Sequence, residues 1–270
     1  MACHDGSDES QNALNSVKHG LLRNMDSLVV AHAWSKKKEE YLTYKFKKEW
    51  VREQQSNDFL YLGNKFKFHE SEIHDSETAK SVLAKEAIEC KATLTIVGMH
   101  GRKGPKADPT VMGSAVQYMA LNCPTPMLLI KEYFTDETRP NGIMMACCID
   151  GSKKSLESLA LMVQMRHAKD KIYIIICEQQ NIHSSLVKSQ VEEQLEMDSC
   201  LEHAEVKILK SEFGKKTKDI IRDHLNSIKE IDIVFVGNKG ADFSGTKYDF
   251  LGSVANEVIR HTKFNCVFIP

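Results

Sequence analysis

The sequence predicts an α/β protein built from two copies of one unit, each with its own parallel β-sheet. The first observation is that residues 5–7, Asp-Gly-Ser, recur as residues 150–152, an offset of 145. The second is that a glycine motif in residues 98–114 recurs in residues 237–253, an offset of 139. The third is that short apolar runs alternate with segments of helical periodicity, which is typical of parallel sheets with right-handed crossovers.

Ten apolar runs are the predicted strands. In the first copy they are residues 2–4, 28–34, 65–68, 94–97 and 127–130, and in the second they are residues 143–149, 172–177, 206–209, 231–236 and 266–269. Segments with apolar residues at helical spacing lie between them, as in residues 215–229. Three glutamates lie among the basic and aromatic residues 36–52, and a fourth, Glu53, follows them. We interpret this segment as a solvated helix with one aromatic face, and an RNA or partner surface is the alternative.

The two offsets divide the chain into two domains. We expect domain 1 at residues 1–133, a linker at residues 134–142 and domain 2 at residues 143–270. The linker is predicted because residues 139–142 read Arg-Pro-Asn-Gly, a sequence typical of turns.

Charge and composition limit the class of protein. The 36 Lys and Arg residues balance 37 Asp and Glu residues, so the chain has no general preference for nucleic acid. No apolar run approaches the roughly 18 residues that a membrane span needs, and the first residues lack the apolar core of a signal peptide. The eight cysteines form no Cys-x-x-Cys pair, which suits reduced core thiols. We therefore expect a cytoplasmic protein.

Glycine positions point to one crevice in each copy. Ten of the 14 glycines follow the first or the fourth predicted strand. In an open parallel sheet, ligands bind at the carboxyl ends of strands where the strand order reverses, and glycine lets backbone N–H groups approach a phosphate. The alternative is that these glycines serve tight turns and that Asp-Gly-Ser is an ordinary helix cap.

At these motifs the sequence resembles the universal stress protein family in tandem form. The resemblance is carried by the aspartate after strand one, the Ala- and His-containing second strand in residues 29–33, and Gly-x-x-Gly followed by Gly-Ser before the last helix. It implies two Rossmann-like domains, each with a five-stranded parallel sheet of order 3-2-1-4-5. It also implies that the protein holds ATP or another adenine nucleotide, with or without Mg²⁺.

The resemblance assigns nucleotide-binding roles by position. It places one aspartate of each copy on the ribose and the backbone of one second-strand residue on the adenine: Asp5, Asp150, Ala33 and Cys177. It places the glycine motifs around the phosphates: Gly98, His100, Gly101, Gly113 and Ser114 in copy one, and Gly237, Lys239, Gly240, Gly252 and Ser253 in copy two. Because prolines at positions 105 and 109 remove two amide donors from the first loop, we expect the second copy to be the main site.

The last strand of each copy is apolar and would be a sheet edge. Since exposed apolar edges promote aggregation, and this edge commonly pairs in dimers of the family, we expect the two copies to pair through residues 127–130 and 266–269. A homodimer of the whole chain is a further expectation.

We identify no catalytic residues and no metal ligands beside the glycine loops, so the leading interpretation is a nucleotide-binding sensor or regulator in the stress response. One alternative is a slow nucleotide hydrolase in which Asp5 or Asp150 helps to hold Mg²⁺. The other is a protein-interaction tandem whose nucleotide sites have been lost.

Overall fold

The computed structural model describes residues 1–104, 110–135, 137–178, 183–238 and 251–270. The chain divides into two compact units, Met1–Thr135 and Asp136–Pro270, called unit 1 and unit 2 below. This boundary falls inside the segment that we predict to be the linker.

Unit 1 contains a parallel sheet with the strand order β3-β2-β1-β4-β5. Its strands are β1 (Ala2–Cys3), β2 (Leu28–Trp34), β3 (Phe66–Glu72), β4 (Thr95–Gly98) and β5 (Met127–Ile130). Its α-helices, within the described residues, are α1 (Asp8–Ser16), α2 (Lys36–Glu39), α3 (Lys48–Asp58), α4 (Ala79–Glu89) and α5 (Ser114–Asn122).

Unit 2 repeats this arrangement with the order β8-β7-β6-β9-β10. Its strands are β6 (Met144–Ile149), β7 (Lys171–Cys177), β8 (Ala204–Leu209), β9 (Ile231–Gly237) and β10 (Asn265–Ile269). Its α-helices, within the described residues, are α6 (Lys153–Met165), α7 (Ser184–Met197), α8 (Thr217–Ser227) and α9 (Ser253–His261). Both units therefore have the predicted order 3-2-1-4-5.

Burial follows the position of each strand in its sheet. The central strands β6, β7 and β9 are buried along nearly their whole length, because a parallel sheet covered by helices on both faces excludes water from both. The outer strand β8 instead alternates between more and less exposed residues, and β3 is half-buried or exposed along its whole length. This exposure explains why the apolar runs of both strands are shorter than the strands themselves.

The segment 36–52 differs from its prediction as a single helix. It consists of α2, a 3₁₀ turn at Tyr44–Phe46 and the start of α3, and the residue before α3, Lys47, is extended. Tyr41 and Tyr44 are exposed, whereas Phe46 lies against Gly6 in the turn after β1. The aromatic side chains therefore face different directions and do not form the single stripe that a helix would need.

The cysteines are free thiols, as their spacing predicts. Seven are buried and Cys90 is partly exposed. Within the described residues, no helix is both long and apolar enough to cross a membrane.

Candidate functional site

The predicted crevices lie at the carboxyl ends of the first and fourth strands of each unit. In unit 1, β1 pairs with β2 on one side and β4 on the other, and in unit 2, β6 pairs with β7 and β9 in the same way. The strands are all parallel, but the chain adds β2 and β3 on one side of β1 and β4 and β5 on the other, and unit 2 does the same around β6. Open α/β sheets bind ligands at the point where the strand order reverses in this way.

The turn after the first strand has the same hydrogen bonds in both units. The backbone N–H of Ser7 donates to Asp5 Oδ1 at 3.0 Å, and that of Ser152 donates to Asp150 Oδ1 at 3.0 Å. The two serine hydroxyls then accept the N–H of the residue three positions later, at 3.3 Å in each unit, and cap α1 and α6. The repeat in the sequence is thus a repeat of local structure.

In unit 1 both oxygens of the Asp5 carboxylate accept hydrogen bonds from the protein. Ser7 Oγ donates to its Oδ1 at 2.5 Å, and the backbone N–H of Arg102 donates to its Oδ2 at 3.0 Å. A Cβ on Gly101 would lie 2.7 Å from Oδ2, so only glycine lets this loop approach the carboxylate. Burial raises the pKa of Asp5, but the hydrogen bonds from Ser7 and Arg102 outweigh burial and hold the pKa below its usual value.

Unit 1 also covers its own turn with the segment 44–47. Gly6 has a φ of +82°, and a Cβ there would lie 2.5 Å from the carbonyl oxygen of Lys45 and 3.0 Å from Phe46 Cδ1. The Arg102 guanidinium lies 5.9 Å from the centre of the Phe46 ring, a cation–π contact that joins this cover to the glycine loop. The turn at Gly6, beside Asp5, is therefore covered by the protein itself.

The glycine loop of unit 1 forms hydrogen bonds within itself. His100 Nε2 donates to the carbonyl oxygen of Val111 at 3.2 Å, and the Gly113 N–H donates to that of Met99 at 3.2 Å. Gly113 is the cap residue of α5 and Ser114 is its first residue. The predicted loop residues are thus brought together, but His100 turns to the loop's own backbone.

Unit 2 has a buried asparagine, Asn238, directly after β9, where unit 1 has Met99 after β4. The Asn238 N–H donates to the carbonyl oxygen of Ile269 at 2.8 Å, and its Oδ1 accepts the N–H of Gly252 at 3.1 Å. Its Nδ2 is buried and has no hydrogen-bond partner among the residues that the structure describes. Sequence reasoning missed Asn238, although the repeat aligns it with the apolar Met99 and so marks it as a polar exception.

The remaining predicted residues occupy the strand ends and the helix start. Ala33 in β2 and Cys177 in β7 lie beyond the last residues that pair with β1 and β6. Gly98 and Gly237 end β4 and β9, where α1 and α6 pack closely against them. In unit 2, Gly252 caps α9 and Ser253 begins it.

Two predicted site residues, Lys239 and Gly240, lie outside the described residues. Within the described residues, no group of His, Cys, Asp and Glu side chains is arranged to hold a metal ion.

Comparison with known proteins gives a family for the first half of the chain and a fold for nearly all of it. Residues 1–131 match the model of the universal stress protein family. The sequence matches no curated protein. A universal stress protein from Archaeoglobus fulgidus DSM 4304 aligns over 99% of this chain and 94% of its own length, with a TM-score of 0.62 and 14% identity.

Two further structures are similar. A putative universal stress protein from Pseudomonas aeruginosa UCBPP-PA14 aligns over 90% of this chain and 82% of its own length, with a TM-score of 0.61 and 10% identity. A universal stress protein in complex with cAMP aligns over 47% of this chain and 96% of its own length, with a TM-score of 0.37 and 16% identity. At these identities, the two matches that span most of the chain show the fold.

Proposed function

Because residues 1–131 belong to the universal stress protein family, we propose that this protein binds an adenine nucleotide, with ATP as the expected form, in the crevice of unit 2. In this proposal the bound nucleotide makes the protein a sensor or regulator in the stress response.

The observation that carries the proposal is that the buried Nδ2 of Asn238 has no hydrogen-bond partner in the described part of the chain. A buried donor without a partner costs about 1–3 kcal/mol, and such groups are rare in folded proteins. Asn238 is 1% exposed, and its Oδ1 is held by Gly252 at the start of α9. A phosphate oxygen of a bound nucleotide would supply the missing acceptor.

The start of α9 supports the same ligand. This nine-residue helix has a glycine cap and no acidic residue in its first turn. Because the amides at a helix N-terminus carry partial positive charge, a phosphate group would be favoured there. Asp150 and the backbone of Cys177 would hold the ribose and the adenine, as the resemblance implies.

Unit 1 fits a nucleotide less well. The Lys45 carbonyl and the Phe46 ring cover Gly6, and Arg102 holds Asp5. A nucleotide in the predicted position would have to displace these groups. We therefore propose one site per chain, in unit 2.

Asn238→Asp tests the phosphate contact. The aspartate keeps an oxygen for the Gly252 N–H but replaces the unpaired donor with a negative oxygen. We expect ATP affinity, measured by calorimetric titration, to fall about 100-fold or more, since a lost hydrogen bond to a charged group and like-charge repulsion together exceed about 2.7 kcal/mol.

Asn226→Asp is the matched control, because it makes the same change at an exposed position on α8. Circular dichroism must show that both variants are folded. An unchanged affinity in folded Asn238→Asp, or the absence of ATP binding to the unaltered protein, would refute the proposal. ATP turnover that disappears in Asp150→Ala would favour the hydrolase alternative.

A further inference from the structure

The turns that precede β2 and β3 form an exposed apolar surface at one end of unit 1. Met25 lies in the turn before β2, and Leu60 and Tyr61 begin the 3₁₀ turn Leu60–Lys65 before β3. These three side chains are 88%, 77% and 62% exposed. The two turns are neighbours, because Lys65 Nζ donates to the carbonyl oxygen of Asn24. Large apolar side chains that are exposed together mark interaction surfaces.

Positive charge surrounds this surface. Lys18 Nζ lies 5.8 Å from the centre of the Phe59 ring and 6.0 Å from that of Tyr61, contacts that leave its charge in place. Residues 17–26 and 58–67 together contain four Lys or Arg residues and two Asp residues. The basic surface is defined here as Lys18, Arg23, Met25, Leu60, Tyr61 and Lys65.

Unit 2 repeats the same turn before its third strand. The 3₁₀ turn Leu201–His203 directly precedes β8, as Leu60–Lys65 precedes β3. In both units the residue before the turn is buried and the leucine that begins it is exposed. Met197, the last residue of α7, is 73% exposed beside it. Unit 2 therefore also presents apolar side chains to water at this end.

The charge around the unit 2 turn is opposite to that in unit 1. Residues 193–202 contain four carboxylates and no Lys or Arg, although Glu202 lies 3.4 Å from His203. The turn before β7 adds two cations, of which Arg166 donates to the Sγ of the buried Cys200 at 3.3 Å. The carboxylates thus outnumber the cations. The acidic surface is defined here as Glu193, Glu196, Met197, Asp198, Leu201 and Glu202.

We propose that the basic surface of one chain docks against the acidic surface of a second copy of this chain. The exposed apolar side chains would form the centre of the contact and the opposite charges its rim, the arrangement typical of protein interfaces. Each chain carries one surface of each kind, so the association is head-to-tail and can extend beyond a dimer. Neither surface includes residues of β5, of β10 or of the unit 2 crevice, and the inference is independent of the nucleotide site.

Analytical ultracentrifugation of the full chain over a range of concentrations measures this association. Because few apolar side chains take part, we expect a weak and transient contact. The average mass should rise with protein concentration at low salt. Salt should weaken the association, since the screening length falls from about 10 Å at 0.1 M to about 3 Å at 1 M ionic strength.

Charge reversal tests whether the two surfaces meet each other. Lys18→Glu with Lys65→Glu makes both surfaces of the chain acidic, and Glu196→Lys with Glu202→Lys makes both basic. Each double variant alone should associate at least about tenfold more weakly, because like charges face each other. An equimolar mixture of the two variants should associate again, since each surface then finds its opposite on the other variant.

Lys36→Glu with Lys103→Glu is the control for the basic surface, because it makes the same change in net charge at exposed positions outside both surfaces. It should associate like the unaltered protein.

Leu60→Ser tests the apolar part of the contact without changing any charge. Leu60 is exposed, so the variant should fold, and its association should weaken about tenfold. Leu186→Ser is the matched control at an exposed leucine on α7. Circular dichroism must show that every variant is folded.

Several outcomes would overturn the proposal. One is a chain that stays monomeric at every concentration, and another is a mixture of the folded charge variants that does not associate. Self-association that persists in both charge variants would place the contact elsewhere on the chain. Binding to phosphatidylserine vesicles that is lost in Lys18→Glu with Lys65→Glu, without self-association, would assign the basic surface to a membrane. Asn238→Asp should leave association unchanged, so this proposal and the nucleotide proposal fail separately.

Discussion

His4 is a buried histidine at the position where unit 2 has Ile149. It is 3% exposed and lies in a polar network: Nδ1 is 2.6 Å from Ser10 Oγ, and Nε2 is 3.1 Å from Gln55 Nε2. Since the Gln55 amide donates to Nε2, the ring must be neutral in this arrangement. Burial lowers the pKa of His4 from 6.5 to about 4.

This shift predicts that unit 1 loses stability in mild acid. The folded pKa is depressed, so the unfolded chain binds more protons between pH 6.5 and about pH 4. The contribution of neutral His4 to the free energy of unfolding is complete above pH 6.5, and it is lost as the pH falls from 6.5 to about 4. We expect a loss of about 3 kcal/mol in the free energy of unfolding, since each pKa unit corresponds to about 1.4 kcal/mol. Amide hydrogen exchange of the β2 residues measures it.

His4→Asn should flatten this pH dependence, although His32, whose pKa is also lowered by burial, will leave part of it. His19→Asn is the control, because His19 is an exposed histidine of the same unit. Equal pH dependence in the protein with and without His4 would show that the buried network does not cause the effect.

For single residues, the sequence predicted which residues form the turn after each first strand, but it did not predict which distant residues contact them. The aspartate and serine after each first strand form the repeated turn because short-range hydrogen bonds determine it. The inward turn of His100 and the engagement of Asp5 by Arg102 depend on loops that meet only in the folded unit. The sequence alone carries no sign of these long-range contacts.

The connection between β2 and α3 is the element that most distinguishes unit 1. It brings Lys45 and Phe46 against Gly6 and joins them to Arg102 through the Phe46 ring. Lys45 also pairs with Asp8 at the start of α1 at 3.5 Å. Because this ion pair is exposed, the packing against Gly6 carries more of the cover's stability than the charge does.

Gly6→Ala should therefore disturb the cover. Gly6 has a φ of +82°, which is unfavourable for alanine, and the new Cβ would lie 2.5 Å from the Lys45 carbonyl oxygen. Gly104→Ala is a matched control in the same unit, because its φ is +71° and a Cβ there meets nothing within 4 Å. We expect both to lose about 1–2 kcal/mol from the left-handed conformation, and Gly6→Ala to lose about 1–3 kcal/mol more from overpacking.

Chemical denaturation, followed by the fluorescence of Trp34 in a Trp50→Phe background, measures the difference between the two variants. Equal destabilisation would mean that the cover moves away from Gly6 at little cost, and the account of a covered crevice would be wrong.

Most strands could be predicted because apolar runs in a parallel sheet are buried on both faces. β2 and β5 have their predicted bounds, whereas β3 extends four residues further, from Phe68 to Glu72, through polar residues at the sheet edge. The covering segment was predicted wrongly as one helix, because its amphipathic pattern does not reveal that Phe46 packs on a turn 40 residues away.

For the whole molecule, the repeat predicted two similar units, and the structure has the same strand order in each. The repeat did not predict that the two crevices differ. Unit 1 covers its turn with its own chain, whereas unit 2 places a buried asparagine directly after β9, and the Nδ2 of this asparagine has no partner within the described ranges. The exact domain boundaries and the pairing of the two copies through their last strands stay predictions.

The central claim is that one adenine nucleotide binds per chain, in unit 2. Calorimetric titration of the full chain with ATP tests it most directly. The number of equivalents distinguishes one site from two, and the Asn238→Asp variant shows whether the site is in unit 2. We predict one equivalent, lost in Asn238→Asp and retained in Asn226→Asp. Two equivalents, or one equivalent that survives Asn238→Asp in a folded protein, would contradict the account.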